Sequence, residues 1–146
     1  MNGLLLVVSP QQVSILNYST LVRSFPCGPK QFWDACWTSD GQKILTSSKD
    51  GVISLYDARS DAEPIKVANH NGIKPIKLAS VGDLVFSTGF SKTRDREYSV
   101  YDQKNFAKPL RTQRVDTNTG TLHPLVDHAR NIVYLVGKVS LVSLVH

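Results

Sequence analysis

Residues 32–57, FWDACWTSDGQKILTSSKDGVISLYD, carry the pattern that decides the fold. Strict alternation in the first six residues would place Trp33, Ala35 and Trp37 on one face of a strand. Asp40-Gly41 then predicts a tight turn, because glycine accepts the positive φ that such a turn needs. The predicted strands of this unit are 32–37, 43–48, 52–57 and 64–68. They indicate one four-stranded antiparallel sheet with short connections.

The third strand of this unit recurs along the chain. Four segments share its pattern and start at Val13, Ile53, Tyr98 and Val139, at intervals of 40, 45 and 41 residues. Each follows another apolar run and a turn, which together are typical of a β-hairpin. A period of about 40–45 residues with several strands per unit is typical of propeller blades.

The composition favours β-structure throughout. Val, Ile and Thr together account for 32 of the 146 residues, whereas Glu occurs twice and Met once. Because β-branched side chains lose rotamer freedom in helices and fit a pleated sheet, the composition disfavours a helical bundle or coiled coil. The formal net charge of +5 suggests an acidic partner, although it is equally consistent with charge that only confers solubility.

The unit at residues 32–57 resembles a Trp-Asp (WD) repeat. In that family a His before the first strand, a Ser or Thr on the second, an Asp in the next turn and a Trp on the third form a hydrogen-bonded network. Here a Ser and an Asp match, a Tyr replaces the Trp, and the matching His occurs only in the following unit, whose turn after Thr88 is too long for the usual Asp. The resemblance implies a partial network that comprises Ser47 (or Ser48), Asp50, Tyr56, Asp57, His70, Tyr101 and Asp102.

A longer resemblance covers about residues 28–138. Asn69-His70-Asn71-Gly72-Ile73-Lys74-Pro75, Ser87-Thr88-Gly89-Phe90-Ser91 and the charged loop after it are similar to coronin sequences in the same order. This resemblance implies a seven-bladed propeller that binds actin filaments and helps to organise the cytoskeleton. A cytoplasmic location is predicted from the two cysteines, which form no disulfide framework, and from an N-terminal apolar run that is too short for a signal peptide. The 146 residues supply about three WD-repeat blades of four-stranded sheets, so we expect an all-β, partial β-propeller with an incomplete ring. The expected division is 1–22, the end of one blade, then 28–68, 69–115 and a truncated blade at 116–146.

The last eight residues depart from the coronin pattern after Lys138. Lys-Val-Ser can be encoded by a splice-donor sequence, and one hypothesis is therefore that residues 139–146 are translated intron. Blade faces without a neighbour expose apolar surface, so self-association through these faces is also expected.

The resemblance and the positive charge suggest a partner surface at the loop 91–97 and near residues 74–77. The candidate contacts are Lys74, Lys77, Lys92, Arg94 and Arg96. The alternative is a solvated loop with internal ion pairs, which contribute little to stability. Nucleic acid is an unfavoured partner, because few aromatic side chains are interleaved with the basic residues.

The sequence contains no motif that indicates catalysis. There is no Gly-x-Ser-x-Gly segment, no complete phosphate-binding loop, and no metal-ligand spacing among the four histidines and two cysteines. We therefore expect no enzyme, no cofactor, no metal and no membrane span. Besides actin binding, two alternatives stay open: a general WD-repeat scaffold that docks other proteins without affinity for actin, and a non-functional fragment.

Overall fold

The computed structural model describes residues 4–17, 20–26 and 30–138, and the backbone of 141–145. In these residues, fourteen strands form four antiparallel sheets, each of which joins strands in chain order. The first sheet has β1 Leu4–Val8, β2 Gln12–Asn17 and β3 Thr20–Pro26. The second has β4 Phe32–Trp37, β5 Lys43–Ser48, β6 Val52–Asp57 and β7 Ile65–Ala68. The third has β8 Lys77–Val81, β9 Leu84–Phe90, β10 Arg96–Asp102 and β11 Arg111–Asp116. The fourth has β12 His123–Asp127, β13 Ile132–Val136 and β14 Leu141–Val145.

The second sheet confirms the predicted strands of residues 32–57, and the all-β expectation is confirmed as well. Its turns depend on glycine, because Gly41 has φ 70° and Gly51 has φ 82°. Side chains other than glycine rarely adopt these values. Each of these glycines donates its backbone N–H back across the turn, Gly41 to Thr38 O and Gly51 to Ser48 O.

One expectation for β4 is wrong. The pairing of β4 with β5 shifts register between Phe32 and Asp34, which is a bulge. A bulge inserts one residue and reverses the side on which the preceding side chain points. Trp33 consequently packs with the core between the second and third sheets, whereas Ala35 and Trp37 pack with the core between the first and second.

Consecutive sheets pack face to face, as the blades of a propeller do. The core between the second and third sheets consists of Leu45, Ile53, Leu55, Ile76, Leu78, Val85, Tyr101 and Phe106. The core between the third and fourth contains Ala79, Val81, Phe86, Tyr98, Leu122, Val133 and Leu135. A half-buried carboxylate also joins the first strands of two sheets, since Asp34 accepts a hydrogen bond of 2.9 Å from the backbone N–H of Leu78.

The first and fourth sheets are the two ends of this stack. Leu4, Leu5, Val7, Leu21 and Val22 of the first sheet are exposed. Self-association through such faces, and the division of the chain into blades at 1–22, 28–68, 69–115 and 116–146, stay predictions. Val139, Ser140 and His146, on which the intron hypothesis partly rests, lie outside the described residues, while the backbone of 141–145 pairs with β13. Within the described ranges, no helix has the length and apolar character needed to span a lipid bilayer.

Candidate functional site: a basic loop face

Four connections lie together at one edge of the second and third sheets. In an antiparallel meander every second connection lies at the same edge. Residues 69–76 contact Gly51, Phe90 and Thr119, which lie in or next to the other three connections. We call the surface formed by residues 49–51, 69–76, 91–95 and 117–122 the loop face. The connections at 38–42, 58–64, 82–83, 103–110 and 128–131 form the opposite face.

Residues 69–76 are the centre of the loop face and pack closely on their neighbours. A Cβ atom built on Gly72 would lie 2.1 Å from Lys49 O and 2.2 Å from the backbone nitrogen of Gly51. Only glycine therefore fits at position 72. The Trp33 indole N–H donates to Gly72 O at 2.9 Å, and Asn71 N–H donates to Phe90 O at 2.7 Å. These contacts hold the connection against both sheets.

A buried hydrogen-bonded network anchors the start of this connection. The Nε2 atom of His70 lies 2.8 Å from Ser87 Oγ, and its Nδ1 atom lies 2.8 Å from Glu97 Oε1. Serine, histidine and a carboxylate in this order resemble a hydrolytic triad. However, Ser87 is fully buried, so no substrate reaches its hydroxyl. The arrangement fixes His70 between β9 and β10, and its serine hydroxyl is not accessible to a substrate.

Sequence reasoning missed Glu97 as the acidic member of this network. It looked for an Asp in the turn after β9, whereas the carboxylate comes from the second residue of β10. The strand register is what could have identified Glu97, because this residue pairs with Gly89 across β9 and β10. A Cβ on Gly89 would lie 2.7 Å from the His70 ring, so the glycine makes room for the imidazole that Glu97 binds.

Tyr101 lies beside this network, at the position of the Trp in the WD repeat. It is fully buried, and burial raises the pKa of its hydroxyl to about 12. The nearby polar side chains of Ser87, Asn69 and Ser99 oppose this rise in pKa, although none forms a hydrogen bond of normal geometry with the hydroxyl.

The second sheet has a different arrangement at the equivalent positions. The register places Tyr56 opposite Ile44, as Tyr101 is placed opposite Val85, so Thr46 is the counterpart of Ser87. Ser47, which the sequence reading favoured, instead donates to Ile76 O at 2.7 Å in the neighbouring sheet. Tyr56 itself packs on Phe25, with 5.0 Å between ring centroids.

Asp50, on the loop face, forms an ion pair with Lys30. Its carboxylate accepts a hydrogen bond from Ser48 Oγ and lies 2.5 Å from Lys30 Nζ. Burial raises the pKa of Asp50, but the hydrogen bonds from Lys30 and Ser48 outweigh it and lower the pKa below its usual value. The strand-ending Asp57 and Asp102 accept hydrogen bonds from backbone N–H groups two residues later, as expected of turn residues.

The loop face has an excess of positive charge. Its cations are Lys49, Lys74, Lys92 and Arg94, and its carboxylates are Asp50 and Asp95. Both carboxylates already form ion pairs with residues outside the loop face, Asp50 with Lys30 and Asp95 with Arg114 at 3.0 Å. Their negative charge is thus compensated, and the cations of the loops determine the potential of this surface.

The predicted cationic contacts occupy three different environments. Lys92 and Arg94 are exposed in the turn after β9, and Arg94 has the unusual φ of 66°. Lys74 is half-buried; its Nζ lies 4.9 Å from the centroid of the Phe90 ring and donates to Thr119 O at 3.1 Å. Lys77 is half-buried at the start of β8, close enough to Asp34 to lower the pKa of that carboxyl. Burial has the larger effect on Asp34 and raises its pKa overall.

Arg96 requires a correction, because it is completely buried and cannot contact a partner directly. Its guanidinium donates to both oxygens of Asp116, at 2.6 and 2.5 Å, and to Gly120 O at 3.3 Å. A Cβ on Gly137 would lie 2.3 Å from Arg96 Nη1, so the guanidinium packs directly against the fourth sheet. Arg96 is therefore a structural link between the third and fourth sheets.

Known proteins are similar to this chain in sequence and in fold, although no protein-family model matches it. Coronin-A of Dictyostelium discoideum is 37% identical over 102 residues, which are 70% of this chain and 23% of Coronin-A. The crystal structure of the WD40 domain of Toxoplasma gondii coronin superposes with a TM-score of 0.82 at 27% identity, over 93% of this chain and 37% of that one. The mitotic checkpoint complex structure matches at 14% identity, with a TM-score of 0.75 over 98% of this chain and 50% of that one, and shows the fold alone.

Proposed function

We propose that this chain, a homologue of the coronin WD40 domain, binds actin filaments through its basic loop face. The chain spans about a quarter of Coronin-A, so the activity of a whole coronin is part of the proposal. The proposed location is the cytoplasm, at the actin cytoskeleton.

The single observation that carries the proposal is the charge of the loop face. Its two carboxylates are paired, whereas Lys92 and Arg94 are exposed to solvent in the turn that joins β9 and β10. Loops on a rigid β-scaffold commonly provide binding surfaces. A cationic surface of this kind steers an acidic filament towards it and gives affinity that decreases as salt screens the charges.

Co-sedimentation of the full chain with filamentous actin at graded salt tests the proposal. We expect pelleting with actin that weakens as the salt concentration rises. The charge-reversal pair Lys92→Glu and Arg94→Glu should weaken binding about ten-fold, because two exposed contacts become repulsive.

The opposite face offers a matched control. Lys104 and Lys108 are also exposed, and their reversal to Glu makes the same change in net charge. We expect the Lys104→Glu, Lys108→Glu variant to bind like the unmodified chain. Equal losses in both variants would show that only net charge matters, which contradicts a defined surface. A chain that does not pellet with actin even at low salt would favour a general WD-repeat scaffold or a non-functional fragment.

A further inference from the structure

Ile73 is the most exposed of the large apolar side chains in the described residues, at 78%. It lies in the connection between the second and third sheets, both of which have neighbours on each side. Its exposure therefore differs from that of Leu5 or Val22, which belong to an outer sheet. No neighbouring blade of a larger propeller would cover it, since the sheets on both sides of it are already present.

The backbone around Ile73 is held in place. Asn71 Oδ1 accepts a hydrogen bond of 3.0 Å from the Ile73 N–H, while Gly72 O accepts one from the Trp33 indole. Pro75, two residues later, fixes its own φ. A connection that is ordered before binding loses little entropy when a partner arrives. Ile73 is thus a projecting apolar group on a pre-ordered support.

Cationic side chains share the loop face with Ile73. Lys74 follows it in the chain and stacks over Phe90, and the connection that follows Phe90 contains Lys92 and Arg94. Binding energy in protein interfaces concentrates in a few central anchors that a polar rim surrounds. The loop face has this composition, with one exposed large apolar side chain among cations.

We infer that Ile73 is the apolar anchor of the loop face and inserts into a cavity on an acidic protein surface, which the proposed function identifies as the actin filament. This inference rests on the proposed function. The partner surface that fits has carboxylates around an apolar depression large enough for a β-branched side chain. The cations determine orientation and salt dependence, and Ile73 supplies affinity that is insensitive to salt.

The test compares Ile73→Ala and Ile73→Val with Leu110→Ala. Leu110 is 62% exposed on the opposite face and is the control for loss of an exposed apolar side chain. In co-sedimentation with actin, we expect Ile73→Ala to bind about ten-fold more weakly, since the truncated side chain removes less apolar surface from water on binding. Ile73→Val, which keeps the β-branch, should stay within about three-fold of the unmodified chain.

The slope of affinity against salt should be the same for Ile73→Ala as for the unmodified chain, because no charge is removed. Thermal unfolding should also be unchanged, since the side chain is exposed in the free protein. Unchanged affinity of Ile73→Ala, or an equal loss in Leu110→Ala, would overturn the inference while the charge-reversal result still supports actin binding. Absence of binding by the unmodified chain would overturn both the proposed function and the inference.

Discussion

The Nδ1 atom of His70 lies 2.8 Å from Oε1 of Glu97, and this pair fixes the connection at 69–76 to the third sheet. Histidine precedes the first strand of the sheet, and glutamate is the second residue of the third strand. Both side chains are buried. The position of the loop face over the sheet therefore depends on a contact between residues 27 positions apart.

Replacement of Glu97 tests this dependence. Glu97→Ala leaves a buried ring nitrogen of His70 without its partner, and we expect the free energy of unfolding to fall by about 2–3 kcal/mol. Glu63, the other glutamate of the chain, is exposed and provides the control. Glu63→Ala should change stability by less than about 0.5 kcal/mol in the same urea titration. Equal losses in the two variants would contradict a structural role of the pair.

Two glycines allow a test of the close packing under the loop face. Gly72→Ala places a methyl group 2.1 Å from Lys49 O, so the connection must move away from the turn at 49–51. Gly82 has φ 55° but nothing within 4 Å of a built Cβ, and Gly82→Ala should cost only about 1 kcal/mol from backbone strain. Calorimetry should show a clearly larger loss of stability for Gly72→Ala. The reverse order would contradict this close packing.

The pair of Arg96 and Asp116 predicts a dependence of stability on pH. The hydrogen bonds from Arg96 hold the pKa of Asp116 well below its usual value. A carboxyl with a lowered pKa in the folded state stabilises the fold above the unfolded-state pKa of about 3.9. This contribution is lost as the pH falls below that value towards the lower pKa of the folded state.

Asp116→Asn removes this titration. At pH 6 we expect the variant to be less stable by about 3 kcal/mol, because the buried Arg96 guanidinium loses its charged partner. As the pH falls from 6 to 3 the difference in unfolding free energy from the unmodified chain should narrow, mainly below about pH 4, because Asp116 takes up a proton in the unfolded state while it stays ionised in the folded state. A difference that stays constant over this range would contradict the pair's contribution.

Substitution of Arg94 should affect stability and actin binding differently. Its φ of 66° is unfavourable for any side chain and costs about 1 kcal/mol relative to glycine. Arg94→Gly should therefore leave the melting temperature unchanged or raise it, while binding to actin weakens. A lower melting temperature would indicate that the arginine stabilises the turn and does not serve only as a contact.

Much of the fold could be predicted from local patterns. Alternating β-branched side chains and Asp-Gly turns determine hairpins over short distances, so the strands at 43–48 and 52–57 agree with the structure. The side on which Trp33 points could not be predicted, because a bulge depends on the backbone pairing of two strands rather than on the sequence of one.

The candidate site was less predictable, and for a related physical reason. Arg96 lies in a charged stretch whose composition is typical of a solvated loop. Its burial depends on the ion pair with Asp116, twenty residues later, and on the absence of a side chain at Gly137, where a Cβ would clash with the guanidinium. Glu97 was read as part of the same loop, although β10 has already begun there. The exposure of Ile73 could not be predicted either, because the residue beside it, Gly72, is held by contacts with Lys49, Gly51 and Trp33 on other strands and turns.

A cryo-electron-microscopy map of actin filaments decorated with the full chain tests the central claim most directly. We expect density that joins the filament to the loop face, with Ile73, Lys92 and Arg94 at the contact and residues 103–110 directed away from the filament. Contact through the opposite face or through the exposed strands of the first sheet would contradict binding by the loop face.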